Sequence, residues 1–186
     1  MLVNKIKKKT DKVLLEYGRK FYSFGITPNF VTFLSMLFTL IAFYLFYKGY
    51  LFYGGLALLV DYLFDLGDGM IARSVGKTTN FGMYFDRITD MLRVFCWIPI
   101  ALNGFISLNL AIWVMAVSFL ASYAALYYEL SSIKRIVWVP AAFWIFLFFA
   151  AITGYVYFFA MLGLVLESFV IVVNFFVIWY LNVLKK

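Results

Sequence analysis

Four aspartates, Asp65, Asp68, Asp86 and Asp90, lie in one stretch, DLGDGMIARSVGKTTNFGMYFDRITD, and make up four of the nine acidic residues of the chain. The flanks on both sides are apolar enough to read as membrane spans. An aspartate at the centre of a spanning helix costs roughly 2.5 to 3.5 kcal/mol, so several together require a partner that offsets their charge. Asp65 and Asp68 are spaced i, i+3, and Asp86 and Asp90 i, i+4, so each pair shares a face of its own helix. Folding the stretch back between Lys77 and Thr78 brings Asp65 level with Asp90, and Asp68 level with Asp86 or Arg87. Four carboxylates at one depth suit Mg²⁺, Mn²⁺ or Ca²⁺. They could hold two ions about 3.5 to 4 Å apart, the separation used in phosphoryl chemistry.

The residues between the acids fit the same chemistry. Gly69, Ala72 and Gly82 leave backbone bare beside them, where a bulky anionic group can approach. Arg73, one turn past Asp68, offers a planar fork for phosphate. The spacing points to a phosphate ester bound through metal.

Asp65, Asp68, Gly69, Ala72, Arg73, Gly82, Asp86 and Asp90 fit the pattern DxxDGxxAR, eight residues, GxxxDxxxD without gap or substitution. In this the chain resembles the CDP-alcohol phosphotransferase family, and Thr27-Pro28-Asn29 and the expected span count extend the likeness to nearly the whole chain. The resemblance implies an integral membrane enzyme, six-spanning and dimeric, that displaces CMP from a CDP-linked substrate with the hydroxyl of a second alcohol. It also implies roles for the residues. Asp65, Asp68 and Asp86 would be metal ligands, and Asp90 both a metal ligand and the general base. Gly69, Ala72, Arg73 and Gly82, with Asp65, Asp68 and Asp86, would form the CDP pocket. Inositol-phosphate-using relatives often carry arginines before a Glu in the fourth span, where this chain has SYAALYYE from Ser122 to Glu129, which counts against a phosphorylated sugar acceptor.

Composition agrees with a membrane location. Of 186 residues, 66% are apolar and 23% aromatic, and none is His. Acid-base work therefore falls to Asp, Glu, Lys or Tyr. A single cysteine, Cys96, lies in an apolar run and reads as a buried small hydrophobe. The first 25 residues lack the apolar core and small-residue cleavage site of a secretory signal. The net charge of +7 is concentrated at span boundaries, which disfavours nucleic acid.

The elements that must position the site follow from the pattern. Residues 1–24 read as an amphipathic helix on an anionic cytoplasmic leaflet, and 25–186 as a six-span all-α domain. Thr27 and Pro28 start the first span, which runs to about Tyr47. Five more are expected: 51–74, 80–102 with Asn80 as cap and a kink near Phe95 from Pro99, 105–129, 136–152 and 155–183. Inner segments would hold seven basic residues before Thr27, then Arg73, Lys77, Lys134, Arg135, Lys185 and Lys186. The outer turns hold only Lys48. Both termini and the acidic cluster are thus expected on the cytoplasmic side.

Charges outside the signature carry separate expectations. Fold-back places Asp61 near Arg93 as a buried ion pair beneath the metal site. Lys134 and Arg135 are either topological signals or ligands of a phosphorylated acceptor. Glu129 and Glu167 have no assigned role. The reading is a phospholipid-synthesising transferase that moves a phosphatidyl-type group from CDP-diacylglycerol or CDP-archaeol to a small alcohol such as inositol phosphate, glycerol phosphate or serine, with Mg²⁺ or Mn²⁺. Two alternatives are a transferase with a soluble CDP-alcohol donor and a lipid acceptor, and a divalent-cation transporter. Ion conduction has no evident use for Gly69, Ala72, Arg73 and Gly82.

Overall fold

The computed structural model describes residues 14–76, 79–130 and 143–184. Eight helices lie among them: α1 (14–23), α2 (Pro28–Tyr47), α3 (Leu51–Val75), α4 (Asn80–Val94), α5 (Trp97–Leu102), α6 (Leu108–Leu130), α7 (Phe143–Thr153) and α8 (Val156–Leu184). No strand occurs among the described residues.

The helix ends have local causes. Thr27 Oγ1 accepts from the Phe30 N–H at 3.3 Å, and Pro28 occupies the first helical position of α2, as its fixed φ favours. Ser107 caps α6 by accepting from the Leu110 N–H at 3.2 Å. At α4 the cap differs from expectation. Thr79, not Asn80, precedes the helix, and its Oγ1 accepts from the Gly82 N–H at 3.0 Å. The kink expected in the third span is a full break, with Phe95 and Cys96 in a turn between α4 and α5. Pro99 has no N–H to offer the Phe95 carbonyl, and the Ile98 N–H takes that carbonyl instead, at 3.0 Å.

α2 and the Val156–Val177 part of α8 are each long and apolar enough to cross a membrane, and Leu108–Tyr123 is a shorter apolar stretch. α3 is as long as these but carries Asp61, Asp65, Asp68 and Arg73. Large apolar side chains such as Trp113, Phe158, Phe169, Phe175 and Phe176 are exposed, far more than a water-facing surface would carry.

The described residues pack as two units. The first holds α1, α2 as far as Ile41, α3 from Ala57 and α4 as far as Leu92. Here α2 and α3 run antiparallel, joined by a column of contacts. Thr32 donates to Asp68 Oδ2, Ser35 donates to Asp61 Oδ1, each at 2.5 Å, and the rings of Phe38 and Phe64 meet at 5.5 Å. Buried hydroxyls and carboxylates thus satisfy each other in an otherwise apolar setting.

The second unit holds the remaining parts of α2, α3 and α4 with α5 to α8. α8 packs on both α6 and α7, and α5 on α6. Phe149 and Phe159 stack at 5.9 Å, and Trp97 and Ile100 are fully buried. The Asn103 amide binds the carbonyls of Phe46 at 2.9 Å, Tyr47 at 3.1 Å and Pro99 at 2.9 Å, satisfying orphan acceptors where α2 and α5 end. Arg93 is buried in this unit.

Candidate active site

The site is built in the first unit from three helices. α3 supplies Asp65, Asp68, Gly69, Ala72 and Arg73. α4, started by the Thr79 cap, supplies Gly82, Asp86 and Asp90. α2 supplies Asn29 and Thr32.

Carboxylate oxygens of Asp65, Asp86 and Asp90 all lie within 4.8 Å of one another, and all three side chains are half-buried. Three like charges so close repel, and a set of carboxylate oxygens is the donor chemistry that Mg²⁺ or Mn²⁺ takes. The Arg87 guanidinium stands 3.6 Å from Asp90 Oδ2 and offsets part of the charge on that side. Asp68 is buried, and Thr32 holds one of its oxygens. The expected convergence therefore resolves into a cluster of three carboxylates and a fourth, Asp68, fixed from α2.

A cavity of about 180 Å³ opens beside these groups. Asp68, Gly69 and Ala72 line it from α3, Gly82 and Asp86 from α4, and Asn29 and Thr32 from α2. The two glycines are bare for different reasons. A Cβ at Gly82 would lie 2.9 Å from Asn29 Oδ1 and 3.1 Å from Thr79 Oγ1, so a side chain there would have to push both aside. A Cβ on Gly69 would meet only the tip of Arg73, at 3.8 Å, so the space above it is left for something else. Arg73 itself is exposed in the last turn of α3.

A carboxylate triad of metal-binding character, a wall of small residues and an arginine beside Gly69 together suit a diphosphate ester. The sequence model of CDP-alcohol phosphatidyltransferases matches residues 25–184. The chain belongs to the CDP-alcohol phosphatidyltransferase family. It is 33% identical over 131 residues, 70% of each chain, to the archaetidylinositol phosphate synthase of Pyrococcus horikoshii. It is also 39% identical over 67 residues, 36% of this chain and 30% of the relative, to the phosphatidylinositol phosphate synthase of Mycobacteroides abscessus. In fold it resembles the Mycobacterium tuberculosis phosphatidylinositol phosphate synthase. The apo form superposes with a TM-score of 0.70 at 21% identity, covering 88% of this chain and 95% of that one. The form in complex with manganese and citrate gives a TM-score of 0.68 at 20% identity, covering 89% and 88%. The form with CDP-DAG bound gives 0.64 at 24% identity, covering 88% and 89%.

The protein is thus a metal-dependent CDP-alcohol phosphotransferase of phospholipid biosynthesis, located in the membrane, and its aspartate cluster fits Mg²⁺ or Mn²⁺. Of the signature residues, Asp68, Gly69, Ala72, Gly82 and Asp86 line one cavity, Asp65 and Asp90 cluster with Asp86, and Arg73 lies beside Gly69. Asp61, bonded to Ser35, is buried in the same unit. Lys134 and Arg135 lie outside the described residues, as does the side chain of Glu129. Asn29 entered the sequence reading only through the Thr27-Pro28-Asn29 likeness, and the contribution of Thr32 was not anticipated. Its signal is a stripe of hydroxyls, Thr32, Ser35 and Thr39, spaced i, i+3, i+7 on the otherwise apolar α2, and all three are buried.

Proposed function

We propose that the enzyme transfers the phosphatidyl-type group of a CDP-lipid, CDP-diacylglycerol or CDP-archaeol, to the hydroxyl of inositol phosphate and releases CMP. The observation that carries this is the cluster of Asp65, Asp86 and Asp90 beside a cavity walled by Gly69 and Gly82. The inositol phosphate acceptor rests on the names of the archaeal and mycobacterial relatives.

In this reading Asp65, Asp68, Asp86 and Asp90 hold the divalent cation, with Thr32 fixing the Asp68 carboxylate as an outer hydrogen-bond partner. Bound there, Mg²⁺ or Mn²⁺ supplies positive charge to the diphosphate and to departing CMP. Gly69, Ala72 and Gly82 admit the cytidine diphosphate, and Arg73 binds its phosphate oxygens. Asp90 takes the proton of the acceptor hydroxyl as that oxygen bonds to the phosphorus carried by the lipid. The bond from that phosphorus to the oxygen of CMP breaks, and CMP leaves with the electron pair. Lys134 and Arg135 would bind the acceptor phosphate. The basic bias of the inner segments supports a six-span chain, preceded by an interfacial helix, with termini and site cytoplasmic, and the family likeness supports a homodimer.

The test is CMP release by the purified chain in detergent with Mn²⁺ or Mg²⁺, CDP-diacylglycerol or CDP-archaeol, and inositol phosphate. Acceptor-dependent release that Asp90→Asn abolishes is expected. Release that depends on glycerol phosphate or serine instead, or turnover only of a soluble CDP-alcohol with a lipid alcohol, would replace this reading.

A further inference from the structure

Arg73 sits in the last turn of α3, where helices fray because their final carbonyls have no intrahelical donor. A ligand-binding side chain there is only as well placed as that turn. In this protein the turn is held from outside. Arg19 on α1 donates its Nε–H to the Ser74 carbonyl at 3.2 Å, one residue beyond Arg73, and brings a cation to the negative end of the helix dipole.

The packing around this bond is close. Gly18 is buried, and a Cβ on it would come within 2.7 Å of Ser74 Oγ and 2.9 Å of the Met70 carbonyl oxygen. α1 therefore meets the end of α3 nearly backbone to backbone, and any larger side chain at position 18 would lift it. Beside this crossing a cavity of about 430 Å³ is lined by Leu14 and Leu15 from α1 and by Met70 and Arg73 from α3. The Arg73 guanidinium thus has α1 on one side. On the other, its Nη2 lies over Gly69, a wall of the smaller cavity.

We propose that Arg19 is a positioning residue, which clamps the last turn of α3 through the Ser74 carbonyl and thereby sets Arg73 for the CDP diphosphate, making α1 part of the donor site. This rests on the assignment of Arg73 to the diphosphate, and the test separates the two. CDP, which carries the cytidine and diphosphate of the donor, is titrated calorimetrically into the purified full chain in detergent with Mn²⁺. Arg73→Ala is expected to weaken CDP binding markedly. Arg19→Ala should weaken it by about fivefold, less than the full loss of one charge-assisted hydrogen bond because Arg19 acts only through Arg73, with Arg19→Lys in between. In the Arg73→Ala background, Arg19→Ala should change nothing further, since its effect passes through Arg73.

Losses that multiply in the double variant would show a general structural role and overturn the positioning proposal, as would unchanged CDP binding in Arg19→Ala. Normal CDP binding by Arg73→Ala, or no binding by the unaltered chain, would instead remove the underlying assignment and the positioning with it. Arg19→Lys keeps the cation at the helix end, so the comparison remains readable if Arg19→Ala folds poorly. Thermal melting of each variant separates lost stability from lost affinity.

Discussion

Buried carboxylates occur in both units, but in opposite settings. In the first, Asp61 and Asp68 face hydroxyls of α2 across a helix pair, and Asp68 borders a cavity beside three further acids. In the second, Glu167 lies within an apolar helix pair. Ser118 Oγ donates to its Oε2 at 2.8 Å, while Oε1 has no hydrogen-bond partner among the described residues. The first arrangement gathers charge where a cation and a diphosphate can offset it. The second encloses one acid with half its hydrogen-bonding capacity unused, which costs stability. Burial of an acid is therefore a poor guide to function here, and convergence on an open cavity is the better one.

The largest expected effect sharpens this contrast directly. Asp90→Asn should lower CMP release by about 10²- to 10⁴-fold, the range for losing a general base, without lowering the melting temperature, because it also relieves repulsion within the cluster. Glu167→Gln, an equally small change, should leave turnover within about twofold, as expected for a group with no contact to the reacting atoms. Parallel assays of the two variants decide the point. A Glu167→Gln enzyme as impaired as Asp90→Asn would mean that the second unit also takes part in the chemistry.

A second comparison lies inside the signature. Gly69→Ala adds a methyl group to open space and gains helix propensity, so the fold should be stabilised by about 0.5 to 1 kcal/mol. The same methyl would intrude on the CDP, and affinity should fall by about tenfold or more. Gly82→Ala should instead lower stability by about 1 kcal/mol, since its Cβ crowds the Thr79 oxygen that caps α4 and pushes on Asn29. Melting curves and CDP titration on both variants check the opposite signs. Similar losses of stability in the two would show that Gly69 is also a packing residue.

The next effect tests the α2 face. Thr32→Val removes the hydroxyl that holds Asp68 and should reduce turnover by about tenfold, the lower end of what loss of an outer-shell partner costs a metal site. Excess Mn²⁺ should restore part of that loss. Ser35→Ala, whose partner Asp61 is absent from the cavity lining, should lower the melting temperature and leave the metal dependence of turnover unchanged.

The signature was legible because its chemistry depends on spacing along two adjacent helices, and a short connection brings Asp65 and Asp90 together whatever the rest of the chain does. Caps were legible for the same local reason, as Thr27-Pro28 at the start of α2 illustrates, and Pro99 marked the place of an irregularity that the structure makes a full break rather than a kink. The cap of α4 fell one residue away from expectation because Thr79 and Asn80 are both good capping residues, and only the direction of the Thr79 hydroxyl distinguishes them. Thr32 was missed because its partner Asp68 lies far along the chain, 36 residues on. A hydroxyl stripe on an apolar helix shows that something polar faces it without showing what. Gly18 and Arg19 were hidden too, since a glycine and an arginine in a basic amphipathic segment read as a surface feature until the end of α3 is seen against them.

The smallest expected effect concerns Glu167 again, now as a question of stability. If its only consequence is an enclosed, half-satisfied acid, an apolar side chain of similar length should be tolerated. Glu167→Met leaves Ser118 able to donate to a carbonyl one turn back on α6, so no buried donor is stranded. With no buried donor stranded and the half-satisfied acid removed, the melting temperature should stay level or rise by about 2 to 4 °C, equivalent to at most about 1 kcal/mol for a chain of this size. Turnover should be unchanged. A fall of several degrees would instead mean that the Ser118–Glu167 contact fixes the register of α6 on α8, the role in which a buried polar pair sacrifices stability for a unique packing.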